Sequence, residues 1–217
     1  MWLLILAIAP GIALSWYIYN KDRLEKEPLR LLSLSFLLGI LVVPFTALIE
    51  IIADYIIFPN KDSILDLAFY SFFGIGLIEE GSKFLIIYKY LYPKEDFNNP
   101  FDGIVYSVMV GLGFATLENI FYVVEGGVST AILRAILAIP DHFLFSLVMG
   151  YFLGLAKFTY QFPNNIMKAI IYPSFLHGIY DFLILAHIWW LTPLIFPFVY
   201  IMLRRYLKKG KDLISWR

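Results

Sequence analysis

The run from Leu67 to Tyr92, LAFYSFFGIGLIEEGSKFLIIYKYLY, is apolar at both ends and carries Glu79-Glu80-Gly81-Ser82-Lys83 at its centre. No charge falls between Leu67 and Ile78, and Phe84-Leu85-Ile86-Ile87-Tyr88 follows the cluster. A helix of this length crosses a hydrocarbon core of about 30 Å, which puts three ionisable groups near mid-membrane. Each charge at that depth costs roughly 2.5 to 3.5 kcal/mol on insertion scales, while each Leu, Ile or Phe returns only about 0.3 to 0.6. Such a cluster has to face protein or water, and intramembrane charges of this kind default to function.

The rest of the chain supports the membrane reading. It is 60% hydrophobic, 18% aromatic and 16% charged over 217 residues, with a mean hydropathy of +0.76, far from the composition of soluble globular domains. Hydropathy marks candidate spans near residues 1–19, 31–57, 67–89, 103–124, 131–156, 168–187 and 189–205. The expected fold is an all-α polytopic transmembrane helical bundle of about seven spans, or eight, forming one integral membrane domain over residues 1–217. The first span lacks a basic leading segment and reads as a retained helix.

Basic residues in short connections stay on the cytoplasmic side. With the amino terminus outside, that side holds Lys21, Arg23, Lys26, Arg30, Lys89, Lys94, Lys157 and Lys168, together with Arg204, Arg205, Lys208, Lys209, Lys211 and Arg217. Only Lys61 and Arg134 fall on the other side. The carboxyl terminus is therefore expected in the cytoplasm. The absence of cysteine excludes disulfides, thiolate metal ligands and a cysteine nucleophile.

Polar residues inside the other spans are few. Glu50 and Asp54 are one turn apart near the outer end of the second span, where a solvated rim is the expected reading. Lys83 is i,i+4 from Glu79 and i,i+3 from Glu80, so it can neutralise either one; a structural ion pair is the plain alternative to a catalytic one. Glu118-Asn119 closes the fourth span, whose Gly111 and Gly113 suggest close helix packing, with Asp102 as the expected N-cap. Pro140 precedes Asp141-His142 in the fifth span, where the missing N–H should kink the helix. Pro173 precedes His177-Gly178-Ile179-Tyr180-Asp181 in the sixth, with His177 and Asp181 on one face. Trp189 and Trp190 suit an interfacial belt.

Glu79, Glu80, Glu118, His142, His177 and Asp181 thus come from four spans at similar depth. Two histidines and a carboxylate are a ligand set of catalytic zinc, and a further glutamate can take the proton of the bound water. No His-Glu-x-x-His occurs. Hydrolysis by glutamate-activated water, with or without metal, remains.

The combination Glu79-Glu80-x-x-Lys83, Phe101-Asp102-Gly103, Phe114-x-x-x-Glu118-Asn119, His142 and His177-Gly178-x-Tyr180-Asp181, with an early Ala9-Pro10-Gly11, resembles the PrsW family of intramembrane proteases. The resemblance spans nearly the whole chain. It implies a multi-pass enzyme of the bacterial plasma membrane that makes the first, site-1 cut in a single-pass membrane anti-sigma factor, leading to release of an extracytoplasmic-function sigma factor. That family is in turn similar to the CAAX prenyl endopeptidases and bacteriocin-processing proteins. This chain departs from their pattern in having Lys83 one residue early, Glu118 for a histidine and Asp181 for an asparagine, which argues against a prenyl substrate.

The expected roles follow. Glu79 is the general base, Glu80 supports it, Lys83 holds the pair ionised and Asp181 orients His177. Glu118, His142 and His177 bind a divalent metal, with zinc the expected ion, or polarise the peptide carbonyl. The expected partners are the protein substrate and the lipid bilayer, with no nucleic acid. The rival class is a proton- or cation-coupled transporter using the same buried groups, although no inverted repeat is visible. A scaffold that binds helices through Gly111 and Gly113 would leave the carboxylates without a purpose.

Overall fold

The computed structural model describes residues 2–21, 26–197, 199–201 and 204. Those residues are mostly helical and contain no strand. In chain order the helices are α1 (Trp2–Lys21), α2 (Leu29–Ile56), α3 (Ile64–Phe69), a π-helical segment (Tyr70–Gly76), α4 (Leu77–Tyr90), α5 (Pro100–Ile136), α6 (Ala138–Phe158) and α7 (Phe162–Leu185). A 3-10 turn, Trp189–Leu194, follows. The protein is a helical membrane bundle. Among the described residues, α1, α2 and the run from α5 through α6 are long and apolar enough to cross a membrane on those grounds alone. Residues 64–90 are helical throughout, but Glu79, Glu80 and Lys83 dilute their apolarity.

The centre of the bundle is α5, buried almost without interruption from Asp102 to Thr116. α1, α2 and α6 pack on it, and α7 packs on α6, α4 and the π segment. Lipid offers no hydrophobic drive to bring helices together, so close backbone approach has to do it. α5 supplies that approach with small residues on two faces. A Cβ on Gly103 would lie 2.5 Å from the Gly150 carbonyl of α6, and one on Gly113 would lie 2.0 Å from the Phe36 carbonyl of α2. Buried hydroxyls of Ser15, Ser35, Thr46 and Thr116 bond the carbonyl four residues back, at 2.6–3.0 Å, which satisfies them without water. On its other face α2 exposes Leu37, Leu41, Phe45, Leu48, Ile52 and Tyr55, an apolar surface suited to lipid.

Several local features differ from the sequence expectations. The cap of α5 is Asn99, whose side chain accepts from Phe101 N at 2.9 Å, and Asp102 is its N3 partner, accepting from Asn98 N and Asn99 N. Pro100 explains this: lacking an N–H, it sits at the first helical position, so the residue before it becomes the cap. The helical backbone of α5 breaks at Gly127, three residues past the expected end at 124, where φ 70 and ψ −152 are open to glycine alone, and resumes to Ile136. Pro140 lies in the first turn of α6 and breaks no hydrogen bond there. The π-helical segment was not foreseen. Of the expected span 189–205, the 3-10 turn and residues 195–197, 199–201 and 204 are described. Of the basic residues counted above, Arg23, Arg205, Lys208, Lys209, Lys211 and Arg217 lie outside the described residues.

Candidate active site

Glu79 and Glu80 stand in the first turn of α4, immediately after the π segment. A π-helical insertion advances the chain without keeping the α register, and such insertions recur at functional sites. This one lies directly against α7. A Cβ on Gly76 would lie 2.7 Å from the Ser174 carbonyl and 2.8 Å from Gly178 N, and one on Gly178 would strike Phe72 at 2.5 Å. That crossing sets His177 beside the glutamates, while the tight α5–α6 crossing brings His142 to them from the start of the second turn of α6.

The buried cluster is held by Lys83. Its ammonium donates to Glu79 Oε2 at 3.0 Å and Glu80 Oε1 at 2.7 Å, and lies 3.1 Å from His142 Nδ1. It also sits 4.1 Å from the centroid of Phe114. An ammonium has only donors, so Nδ1 of His142 accepts and Nε2 carries the proton given to Glu118 Oε2 at 2.9 Å. Both ring nitrogens of His177 face carboxylates: Nδ1 is 2.9 Å from Glu80 Oε1, and Nε2 is 3.3 Å from Asp181 Oδ2 and 3.8 Å from Glu79 Oε2. The Phe145 ring stacks on His177 at 5.0 Å, and the two imidazoles are 5.1 Å apart, nearly perpendicular.

Glu79, Glu80, His142 and His177 each bring one donor atom within 4.8 Å of the others. Glu80 Oε2 is buried with no hydrogen-bond partner among the described residues. Carboxylate oxygens and imidazole nitrogens are the donor set of catalytic zinc, so these residues fit a divalent metal. Glu118 is not in this quartet. It lies on the far side of His142, paired with Arg134 at 3.0 Å. Asp181 is likewise outside it, on the Nε2 side of His177.

Arg134 is the residue that sequence reasoning missed, having assigned it to an outer connection. The bend at Gly127 turns the chain so that Arg134 reaches Glu118, donates from Nε to Asn119 Oδ1 at 2.9 Å and covers the Tyr122 ring at 4.1 Å. Asn119 is itself tied to the Ala7 carbonyl of α1 at 2.7 Å. A usable signal was present: Arg134 is the sole charge in the apolar run from Val128 to Pro140, just after Gly126-Gly127.

Comparison with known proteins is consistent along the chain. The profile of the PrsW family intramembrane metalloproteases matches residues 27–204. Protease PrsW of Geobacillus kaustophilus is 41% identical over 184 residues, 84% of this chain and 80% of that protein. Protease PrsW of Bacillus subtilis is 37% identical over 207 residues, 94% and 92% of the two chains. That of Clostridioides difficile is 33% identical over 212 residues, 92% and 86%. No solved structure matches the chain. The chain belongs to the PrsW family of intramembrane proteases and is a multi-pass peptidase of the bacterial cell membrane.

Proposed function

We propose that this peptidase makes the first cut in a single-pass membrane anti-sigma factor, at a peptide bond brought to the Glu79–His177 cluster from the outer side of the membrane. The amino terminus is then outside, the carboxyl terminus is in the cytoplasm, and release of an extracytoplasmic-function sigma factor is the consequence. The observation that supports hydrolysis best is the convergence of Glu79, Glu80, His142 and His177, from three helices, in one buried cluster.

Glu79 is the general base. Glu80 is fully buried and hydrogen-bonded to both Lys83 and His177, whereas Glu79 takes its hydrogen bond from Lys83, has His177 Nε2 farther off at 3.8 Å and is slightly exposed. The freer carboxylate is the one able to accept and return a proton. Water oxygen adds to the scissile carbonyl carbon as its proton passes to Glu79. That proton then goes to the departing nitrogen as the C–N bond breaks. Lys83 keeps the glutamate pair ionised, Asp181 orients His177, and the Arg134–Glu118 pair orients His142.

Glu80, His142 and His177 are the residues that would hold a divalent metal, zinc by donor type. When bound, the metal supplies polarisation of the carbonyl and acidification of water. A metal ligated by His142 Nδ1 has to replace the Lys83 ammonium there, because one lone pair serves one cation.

The test is co-expression with a tagged candidate anti-sigma factor, comparing wild type with Glu79→Ala and His177→Ala at matched membrane levels. A shortened fragment seen only with wild type is expected. Equal cutting by the variants would remove Glu79 and His177 from the mechanism.

A further inference from the structure

Glu79, Glu80, His142 and His177 are each at most 5% exposed. A reacting carbonyl has to come within about 3 to 3.5 Å of its nucleophile, so part of the bundle has to move before a peptide is cut. The helices that carry the cluster are poorly suited to moving. α5 and α6 meet through Gly103, Gly111 and Gly150, and the π segment meets α7 through Gly76 and Gly178, each so close that a Cβ would collide with the neighbour. Parting them would lose the backbone approach that holds a membrane bundle together.

Residues 128–136, after the break in α5, are held differently. Of these only Ala131 is buried, in a small cluster with Ala7 and Val123 that is separate from the main core. Val128, Ile132, Leu133 and Ile136 are 40% to 62% exposed. The segment begins after Gly127, where a Cβ would meet nothing within 4 Å, and ends at Leu137, whose φ of −109 and ψ of −70 lie off the usual helical pair. Its polar tie is Arg134, which pairs with Glu118 Oε2 at 3.0 Å and donates to Asn119 Oδ1 at 2.9 Å. The same Glu118 oxygen lies 2.9 Å from His142 Nε2, so the tie ends on a residue of the cluster. Enzyme segments that open have few buried contacts and pivot on a few residues at their ends. We propose that residues 128–136 are a lid, pivoting on Gly127 and Leu137 and latched by Arg134 to Glu118, that lifts to admit the substrate strand to the cluster. Lifting breaks the Arg134–Glu118 pair and leaves Glu118 to His142, which couples substrate entry to the setting of that histidine. The lid deepens the hydrolytic reading above and rests on it for the site that is opened.

The absence of cysteine makes introduced thiols clean reporters. In detergent, a charged methanethiosulfonate is expected to label Ala131→Cys, buried under the closed lid, and to leave Ser107→Cys, buried in the middle of α5, unlabelled. Adding Arg134→Met should speed labelling of Ala131→Cys about tenfold, with Ser107→Cys still inert. Ala131→Cys labelling no faster than Ser107→Cys would overturn the lid, and a rate unmoved by Arg134→Met would overturn the latch. This readout does not depend on proteolysis, so a failure of the hydrolytic reading shows up separately, as continued cutting by Glu79→Ala. A second measurement fixes the lid in place. Val123→Cys and Ala131→Cys are oxidised to a disulfide and the joined fraction is counted by gel shift with a maleimide polymer. Cleavage by the joined form should fall about tenfold or more and return with reductant. A segment that only supports the fold loses nothing when fixed in its native place, so full cleavage by the joined form would overturn the lid. If the two thiols do not join, the labelling result decides.

Discussion

The Lys83 ammonium lies 3.1 Å from Nδ1 of His142 while bonding Glu79 and Glu80 from the same atom. It therefore makes two sets of contacts that conflict: it bonds two adjacent carboxylates in a buried site, and it occupies the lone pair through which His142 would bind a metal. Lys83→Met should separate them. Zinc affinity, measured by chelator competition on protein in detergent, should rise about tenfold or more because a positive charge is removed and a lone pair freed. Cleavage should fall, since breaking a buried pair leaves uncompensated charge worth roughly 3–5 kcal/mol. Unchanged zinc affinity would show that lysine and metal do not compete.

Asp181 meets His177 at 3.3 Å from the next turn of α7. Asp181→Asn preserves size and removes the charge. Partners of this kind cost about 10–100-fold in activity when replaced. We expect that loss in the cleavage assay, with thermal stability close to wild type. A large drop in melting temperature would instead make Asp181 a structural group.

Arg134 acts at one remove, through Glu118 and Asn119. Arg134→Met should destabilise the protein by about 1–3 kcal/mol, since Glu118 loses its guanidinium partner and keeps only the His142 hydrogen bond, in a partly exposed setting. Arg134→Lys should restore the charge without the forked geometry that reaches both partners. Cleavage by the lysine variant is thus expected between that of wild type and Arg134→Met; wild-type cleavage by both variants would remove Arg134 from the positioning of His142.

Gly127 makes that reach available. Its φ of 70 and ψ of −152 cost a residue with a side chain about 1–3 kcal/mol, although a Cβ there meets nothing within 4 Å. Gly127→Ala is expected to lower both the melting temperature and the cleavage rate. An alanine variant as stable and as active as wild type would sink the claim that the bend is required.

Two glycines in helices should respond oppositely to alanine. Gly81 has open space around its missing Cβ, so Gly81→Ala should be neutral or stabilising by up to about 1 kcal/mol from helix propensity. At Gly113 a Cβ would lie 2.0 Å from the Phe36 backbone, so Gly113→Ala has to push α2 away from α5 and should lower the melting temperature clearly. Melting both variants in the same detergent checks the contrast.

Much of this was legible in the sequence. The helical membrane class follows from long apolar runs, because hydropathy acts through local chain length and needs no partner. Glu79, Glu80, Lys83, His142 and His177 could be picked out because a charge or imidazole amid Leu, Ile and Phe is anomalous on energetic grounds alone. The spacing of Lys83 to the glutamates, and of Asp181 to His177, is a property of any helix, so those contacts could be read before any tertiary structure.

Other features depended on what lies across from each residue. The π segment before Glu79 has no compositional mark; it is sustained by the Gly76–Gly178 crossing. Asn99 rather than Asp102 caps α5, and Pro140 opens a helix instead of kinking one, because helix boundaries are settled by which backbone groups lack partners.

Periodicity and hydropathy alone determined that this chain forms apolar helices with a few costly polar groups at similar depth, because those preferences are paid residue by residue. Only the tertiary structure decided that Glu118 reaches Arg134 across the bend at Gly127 and stands behind His142, and that Lys83 contends for the His142 lone pair. Each of those is a contact that the spacing of one regular helix does not produce. Its partner is selected by packing distance and by the need to satisfy a buried polar atom, neither of which is written in local sequence.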